Sequence, residues 1–142
     1  MIKLYSKILL AVDGSEHSMR AAKEAVKVAM SGSNTEVEMV FVADFSKVKN
    51  EVLHTHGKEE LEYSRRQRLQ PVEELMKTNQ IKYTLKILRG EPGPSIVEHA
   101  NKGNFDLVVI GSRGLNSLQE MVLGSVSHKV VKRVSCPVLM VK

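Results

Sequence analysis

The sequence predicts an α/β fold: a single doubly wound domain over residues 1–142, with a five-stranded parallel sheet and helices on both faces. Three observations carry that prediction. Five short apolar runs alternate with segments of helical period, an order that builds a parallel sheet through right-handed crossovers. The first, fourth and fifth runs are almost continuously apolar, as strands covered on both faces are. A chain of 142 residues can bury one sizeable core, whereas two domains of half that length would each be marginal.

The first run, "KILLAV" (7–12), ends at Asp13 and Gly14. On the helix that follows, Ala21, Ala22, Ala25, Val26, Ala29 and Met30 share one face, and Ser15 is placed to cap it. The second and third runs, "EVEMVFV" (36–42) and "IKYTLKIL" (81–88), alternate in part, which suits strands nearer an edge. Between them, residues 43–60 show no period and read as an irregular surface segment. Leu61, Leu69, Val72, Leu75 and Met76 then form a looser helical stripe, with a kink or a fresh start expected at Pro71.

"EPGPSIVEHANKG" gives a short third helix, with Pro94 near its first turn and Gly103 past its end. "FDLVVI" (105–110) is the fourth strand. Val126, Val130, Val131 and Val134 stripe the fourth helix, and "PVLMVK" (137–142) closes the sheet. Internal repeats, linkers and low-complexity tracts are absent from the sequence.

Composition narrows the function classes. The formal net charge is +5, but the densest charged stretch, "KEELEYSRRQRLQPVEELMK", balances Lys58, Arg65, Arg66, Arg68 and Lys77 against Glu59, Glu60, Glu62, Glu73 and Glu74. A nucleic-acid surface would be one-signed, and at 4% aromatics with no Trp a base-stacking platform is poorly supplied. No nucleic-acid partner is expected, and "HKVVKR" (128–133) reads as a Val-striped helix with lysines outward. The apolar core of "MIKLYSKILLAVDGSE" is too short for a signal peptide or a membrane span. The lone Cys136 suits a reducing compartment, so the expected location is cytoplasmic, without membrane attachment.

Other polar residues are read as structural. His54 and His56 lack a third metal ligand nearby. His99 and His128 are expected on helix surfaces without partners, His17 facing solvent, and Cys136 packed before Pro137. The nucleophile elbow G-x-S-x-G is missing.

Chemistry concentrates in "GSRGLNSLQEMVLGSVSHKVV" (111–131), which begins where the fourth strand ends. In an open parallel sheet, ligands bind outside the carboxyl ends of the strands, where strand order reverses. Gly111, Ser112, Arg113 and Gly114 let a ligand approach main-chain N–H groups. Gly124 and Ser125 open a helix whose N-terminus favours an anion. Two glycine turns could hold a phosphate chain from both sides, or serve only as a strand end and a helix start. Neither the P-loop pattern nor G-x-G-x-x-G is present. Asp13, ending the first strand, suits a ribose hydroxyl or a base edge if strands one and four are neighbours. It also suits a cap on the first helix.

"ILLAVDGSE", "GSRG…GS" with nine residues between, and "SCPVLMV", in that order, resemble the universal stress protein family over nearly the whole chain. The pattern G-x2-G-x9-G-[ST], which marks that family's ATP-binding members, is met by Gly111, Gly114, Gly124 and Ser125. The resemblance implies strand order 3-2-1-4-5 and a nucleotide between strands one and four. It implies contacts from Ala11, Val12, Asp13 and Ser15 at the first strand's end, and from Val42 to the adenine through its main chain. Ile110, Gly111, Arg113 and Gly114 would line the phosphate path, closed by Gly124, Ser125, Val126 and Ser127. Where ATP-binding members often carry Pro two residues before the Asp, this chain has Ala11.

The resemblance further implies ATP accompanied by Mg²⁺, and a homodimer through the last strand (137–141). The reading is an ATP-binding regulatory stress-response protein with slow or no hydrolysis, since the chain shows no Walker-type lysine and Glu120 is the only carboxylate within the loop. The alternatives are a true ATPase or nucleotidyl transferase, and a dimeric scaffold that binds no nucleotide. A phosphoryl-accepting receiver domain would want an Asp after the third strand, where Leu88, Arg89 and Gly90 stand.

Overall fold

β1 (Lys7–Ala11) is the sheet's central strand because its apolar run can be buried on both faces: Ile8, Leu9 and Leu10 expose no surface. The computed structural model of the protein describes residues 5–43, 58–112 and 124–142. In these, β1 is followed by α1 (Glu16–Met30), β2 (Glu36–Ala43), α2 (Lys58–Thr78), β3 (Lys82–Arg89), α3 (Pro92–Lys102), β4 (Leu107–Gly111), α4 (Ser125–Arg133) and β5 (Val138–Val141). All strand pairs are parallel and the order is β3-β2-β1-β4-β5, as expected.

α1 and α2 cover one face. Ala21, Ala22, Ala25 and Val26 of α1, with Leu69, Val72 and Met76 of α2, pack on Ile8, Leu10, Val37, Met39 and Val109. α3 and α4 cover the other, where Ile96, Ala100 and Val130 meet Leu9, Val40, Val108 and Ile110. Side chains of one strand feed the two cores alternately, as the period of two requires, and each fully buried Leu or Ile contributes about 1.5–3 kcal/mol.

Five details differ from the sequence reading or narrow it. β2 lies inside the sheet, between β1 and β3. Its polar alternation comes from Glu36, which pairs with Lys82 at 2.8 Å, and Glu38, which meets His99 of α3 at 2.5 Å. β5 is apolar but is an edge strand, half-covered, with Met140 37% exposed. Apolar content could not separate a strand covered by its own chain from one whose edge is left open. α2 runs as one helix through Pro71, without the fresh start that the proline allowed. His99, expected at the surface without a partner, is mostly covered by Glu38 and by the ring of Phe105 at 5.7 Å. In the fourth helix, Val131 is exposed and Val134 follows the last turn as its cap. Ser15 caps α1 as expected, and Gly103 ends α3. His54, His56 and Glu120 lie outside the described residues.

Among the described residues, no helix is long and apolar enough to cross a membrane.

Candidate functional site

The chain runs from β1 outward to β2 and β3, then crosses back to β4 on the other side of β1. The direction of winding reverses between β1 and β4, so a crevice opens at their carboxyl ends. Ala11 and Val12 end β1 there with buried side chains, so only their main chains face the opening. Ile110 is likewise buried, in the core under α3 and α4.

β2 outruns β1. The ladder between them ends at Ala11 opposite Val40, and the Val12 N–H donates to the Val40 carbonyl at 2.9 Å. On the other edge the Ala43 carbonyl accepts from the Gly90 N–H at 3.0 Å. Because successive residues of a strand direct their amide groups to opposite sides, Val42 directs its N–H and C=O towards the side β1 has vacated. Its main chain therefore faces the crevice, as a base-edge contact requires.

The two helix N-termini at the crevice differ. At α1, the Ser15 hydroxyl accepts from the Ser18 N–H at 3.1 Å, and Asp13 Oδ1 accepts from the Ser15 N–H at 2.9 Å. Ser18 Oγ also donates to the Ser15 carbonyl and accepts, at 3.4 Å, from the Asp13 N–H. α1 is thus capped by its own residues. Asp13 supports the N-cap through its Oδ1, a role that its position allowed. At α4, Gly124 stands at the N-cap, and among the described residues no side chain caps the first turn. The unmatched N–H groups of that turn and the helix dipole make it the anion-favouring end.

β4 holds α4 in place. The Gly124 N–H donates to the Ser112 carbonyl at 2.9 Å, and the buried Ser127 hydroxyl donates to the Gly111 carbonyl at 2.5 Å. Ser112 in turn donates its N–H to the Val141 carbonyl of β5 at 2.7 Å. Ser127, expected as a ligand contact, donates its hydroxyl proton to Gly111 and so clamps α4 to β4. Ser125 is exposed at the opening, and Val126 is half-buried against the α3–α4 core. The structure thus brings Asp13, Val42, Gly111, Gly124 and Ser125 to one edge of the sheet. Arg113 and Gly114 lie outside the described residues.

Gly111 has a second duty. A Cβ there would stand 2.8 Å from the His17 carbonyl oxygen and 3.0 Å from His17 Cβ. His17, expected to face solvent, is half-buried against β4, and its Nδ1 is buried with no hydrogen-bond partner among the described residues. Its place in the first turn of α1 concealed this, because a contact between α1 and β4 has no signal in local spacing. Ser18 carried no expectation from the sequence, although the S-x-x-S spacing of Ser15 and Ser18 is a capping signal that reveals it.

Among the described residues, no group of three or more His, Cys, Asp or Glu could hold a metal ion. Burial pushes the Cys136 thiol up from its ordinary value, in keeping with a packed, unreactive side chain.

Comparison with known proteins bears on the family and the fold. The sequence model of the universal stress protein family matches residues 4–142. Universal stress protein MJ0531 of Methanocaldococcus jannaschii is 35% identical over 98% of this chain and 83% of its own length. Universal stress protein YxiE of Bacillus subtilis is 31% identical over 98% of this chain and all of its own. Among solved structures, MJ0577 of Methanocaldococcus jannaschii superposes with a TM-score of 0.84 at 29% identity, covering 98% of this chain and 96% of that one. A universal stress protein of Archaeoglobus fulgidus in complex with dAMP gives 0.72 at 21% identity, over 98% and 99% of the two chains. One from Arabidopsis thaliana with AMP bound gives 0.67 at 21% identity, over 96% and 91%. The last two share the fold.

Proposed function

This chain belongs to the universal stress protein family, and on that premise we propose that it is a regulatory protein that binds ATP in the crevice between β1 and β4. The observation that carries the reading is the contrast between the two helix ends: α1 is capped by its own side chains, while α4, clamped to β4 through Ser127 and Gly111, has no side-chain cap among the described residues. A phosphate chain is drawn to the second and has no place at the first. The main chain of Val42 faces the adenine and Asp13 the ribose, with Ser125 beside the phosphates. The fold neighbours holding dAMP and AMP support an adenine nucleotide as the class of ligand.

Mg²⁺ would ride on the phosphate oxygens. That ion commonly takes one or two carboxylates along with substrate phosphates, and Asp13 is the carboxylate the described crevice supplies, with one oxygen already accepting from Ser15. Hydrolysis on this reading is slow or absent, so occupancy, not turnover, is the signal. The half-covered apolar edge of β5 supports a homodimer joined through that strand.

Native mass spectrometry of the purified chain, with identification of released nucleotide, tests the proposal. A dimer carrying one adenine nucleotide per chain is expected. An empty protein that also ignores millimolar ATP in calorimetry overturns it, in favour of a scaffold that works through its surfaces.

A further inference from the structure

The geometry points to Arg68 of α2 as a side wall of the crevice at its base-and-ribose end, touching bound adenine nucleotide through its guanidinium. This inference rests on the adenine-nucleotide reading above. A Cβ built on Gly14 would lie 2.1 Å from Arg68 Cγ and 2.5 Å from Cδ, so the arginine stem rests on the main chain of that turn. Gly14 has φ +84°, the left-handed region that favours glycine, and lies between Asp13 and the N-cap Ser15. An arginine stem is therefore laid across the turn that carries the ribose-facing carboxylate.

The stem is held from below. Leu69 and Val72, each 1% exposed, fix this stretch of α2 in the core beneath α1. Arg68 itself is exposed, and none of the ion pairs among the described residues engages it. Because Arg68 is level with Gly14, the preceding part of α2, residues 58–67, continues past the end of β1, by about 15 Å at 1.5 Å per residue. α2 thus borders the opening and does not stop beneath it.

Which end of the ligand Arg68 meets follows from the layers. α2 packs on α1 and β3, on the β2–β3 side of the sheet, and Val42 lies on β2, between β1 and β3. The uncapped end of α4 and the Ser127–Gly111 clamp belong to the opposite face, by β4 and β5. A guanidinium on the α2 side reaches the flat purine and the sugar before the outer phosphates. Its planar charge suits stacking on a π face.

Calorimetric titration of the full chain with AMP and with ATP, for wild type, Arg68→Ala and Arg68→Met, tests the inference. Met keeps an apolar stem on Gly14 and removes the charge. Both variants are expected to weaken AMP and ATP by the same factor, about two- to fivefold. Wild-type affinity in both variants overturns the assignment, as does a loss confined to Arg68→Ala, which would credit the stem alone. A loss much greater for ATP than for AMP also overturns it, by placing the guanidinium on the phosphates. Wild-type protein that binds neither nucleotide fails earlier, at the nucleotide reading itself.

Discussion

The main-chain carbonyl oxygen of His17 lies 2.8 Å from where a Cβ on Gly111 would stand. α1 and β4 therefore meet at a distance that a side chain on β4 would forbid, at the strand end from which the Ser127 clamp hangs. The glycine that looks like a ligand's doorway is first a packing residue. Its absence of Cβ serves the join between the two halves of the sheet.

Gly111→Ala should accordingly destabilise the ligand-free protein. The obstructing atoms belong to the backbone of α1 and cannot rotate away, so the expected loss is about 1–3 kcal/mol. A thermal melt without nucleotide reads it as a lower Tm. An unchanged Tm would show that α1 yields at this contact.

Ser127 and Ser125 should separate clamp from contact. Ser127→Ala leaves the Gly111 carbonyl without its donor in a buried setting, which costs about 1–3 kcal/mol. Ser125 is exposed, and Ser125→Ala should change stability by less than about 0.5 kcal/mol while weakening ATP more than AMP. Denaturant unfolding and nucleotide titration of both variants check the pair; equal unfolding midpoints would remove the distinction.

Gly14 and Arg68 should be coupled. Gly14→Ala meets both the left-handed φ of +84° and the arginine stem. The backbone strain alone is about 1–2 kcal/mol. In an Arg68→Ala background the steric part disappears and the strain remains, so the double mutant should be more stable than additivity predicts. Strict additivity in unfolding experiments would mean that the stem does not rest on the turn.

Cys136 should react late. Burial raises its thiol above the ordinary value, and alkylation proceeds through the thiolate. The rate of iodoacetamide modification in the native protein should therefore rise through a higher pH midpoint than in the denatured chain. As pH rises, the unfolded thiol loses its proton first. The burial of the neutral form thus contributes fully to stability below the unfolded thiol's pKa, and that contribution is lost as pH rises through the higher pKa of the folded thiol. A native midpoint at or below the denatured one would contradict a packed thiol.

Much of this protein is legible in one dimension, where the cause is local. The apolar run of Ile8, Leu9 and Leu10 marks a central strand, the small residues from Ala21 to Ala29 a helix face, and Ser15 a cap, because each expresses a period or a turn chemistry within a few residues. The glycine pattern from Gly111 to Gly124, with Asp13, is legible for the same reason, and in the structure Gly111, Gly124 and Asp13 lie at the carboxyl ends of the strands. Other relationships had no such signal. That β5 is an edge with half its surface open, that His99 reaches Glu38, that His17 occupies the room Gly111 leaves, and that Arg68 lies over Gly14 all depend on which elements become neighbours. Local backbone preference selects elements, but burial and close contact are settled between residues distant in the chain, and only the packed tertiary structure brings those together.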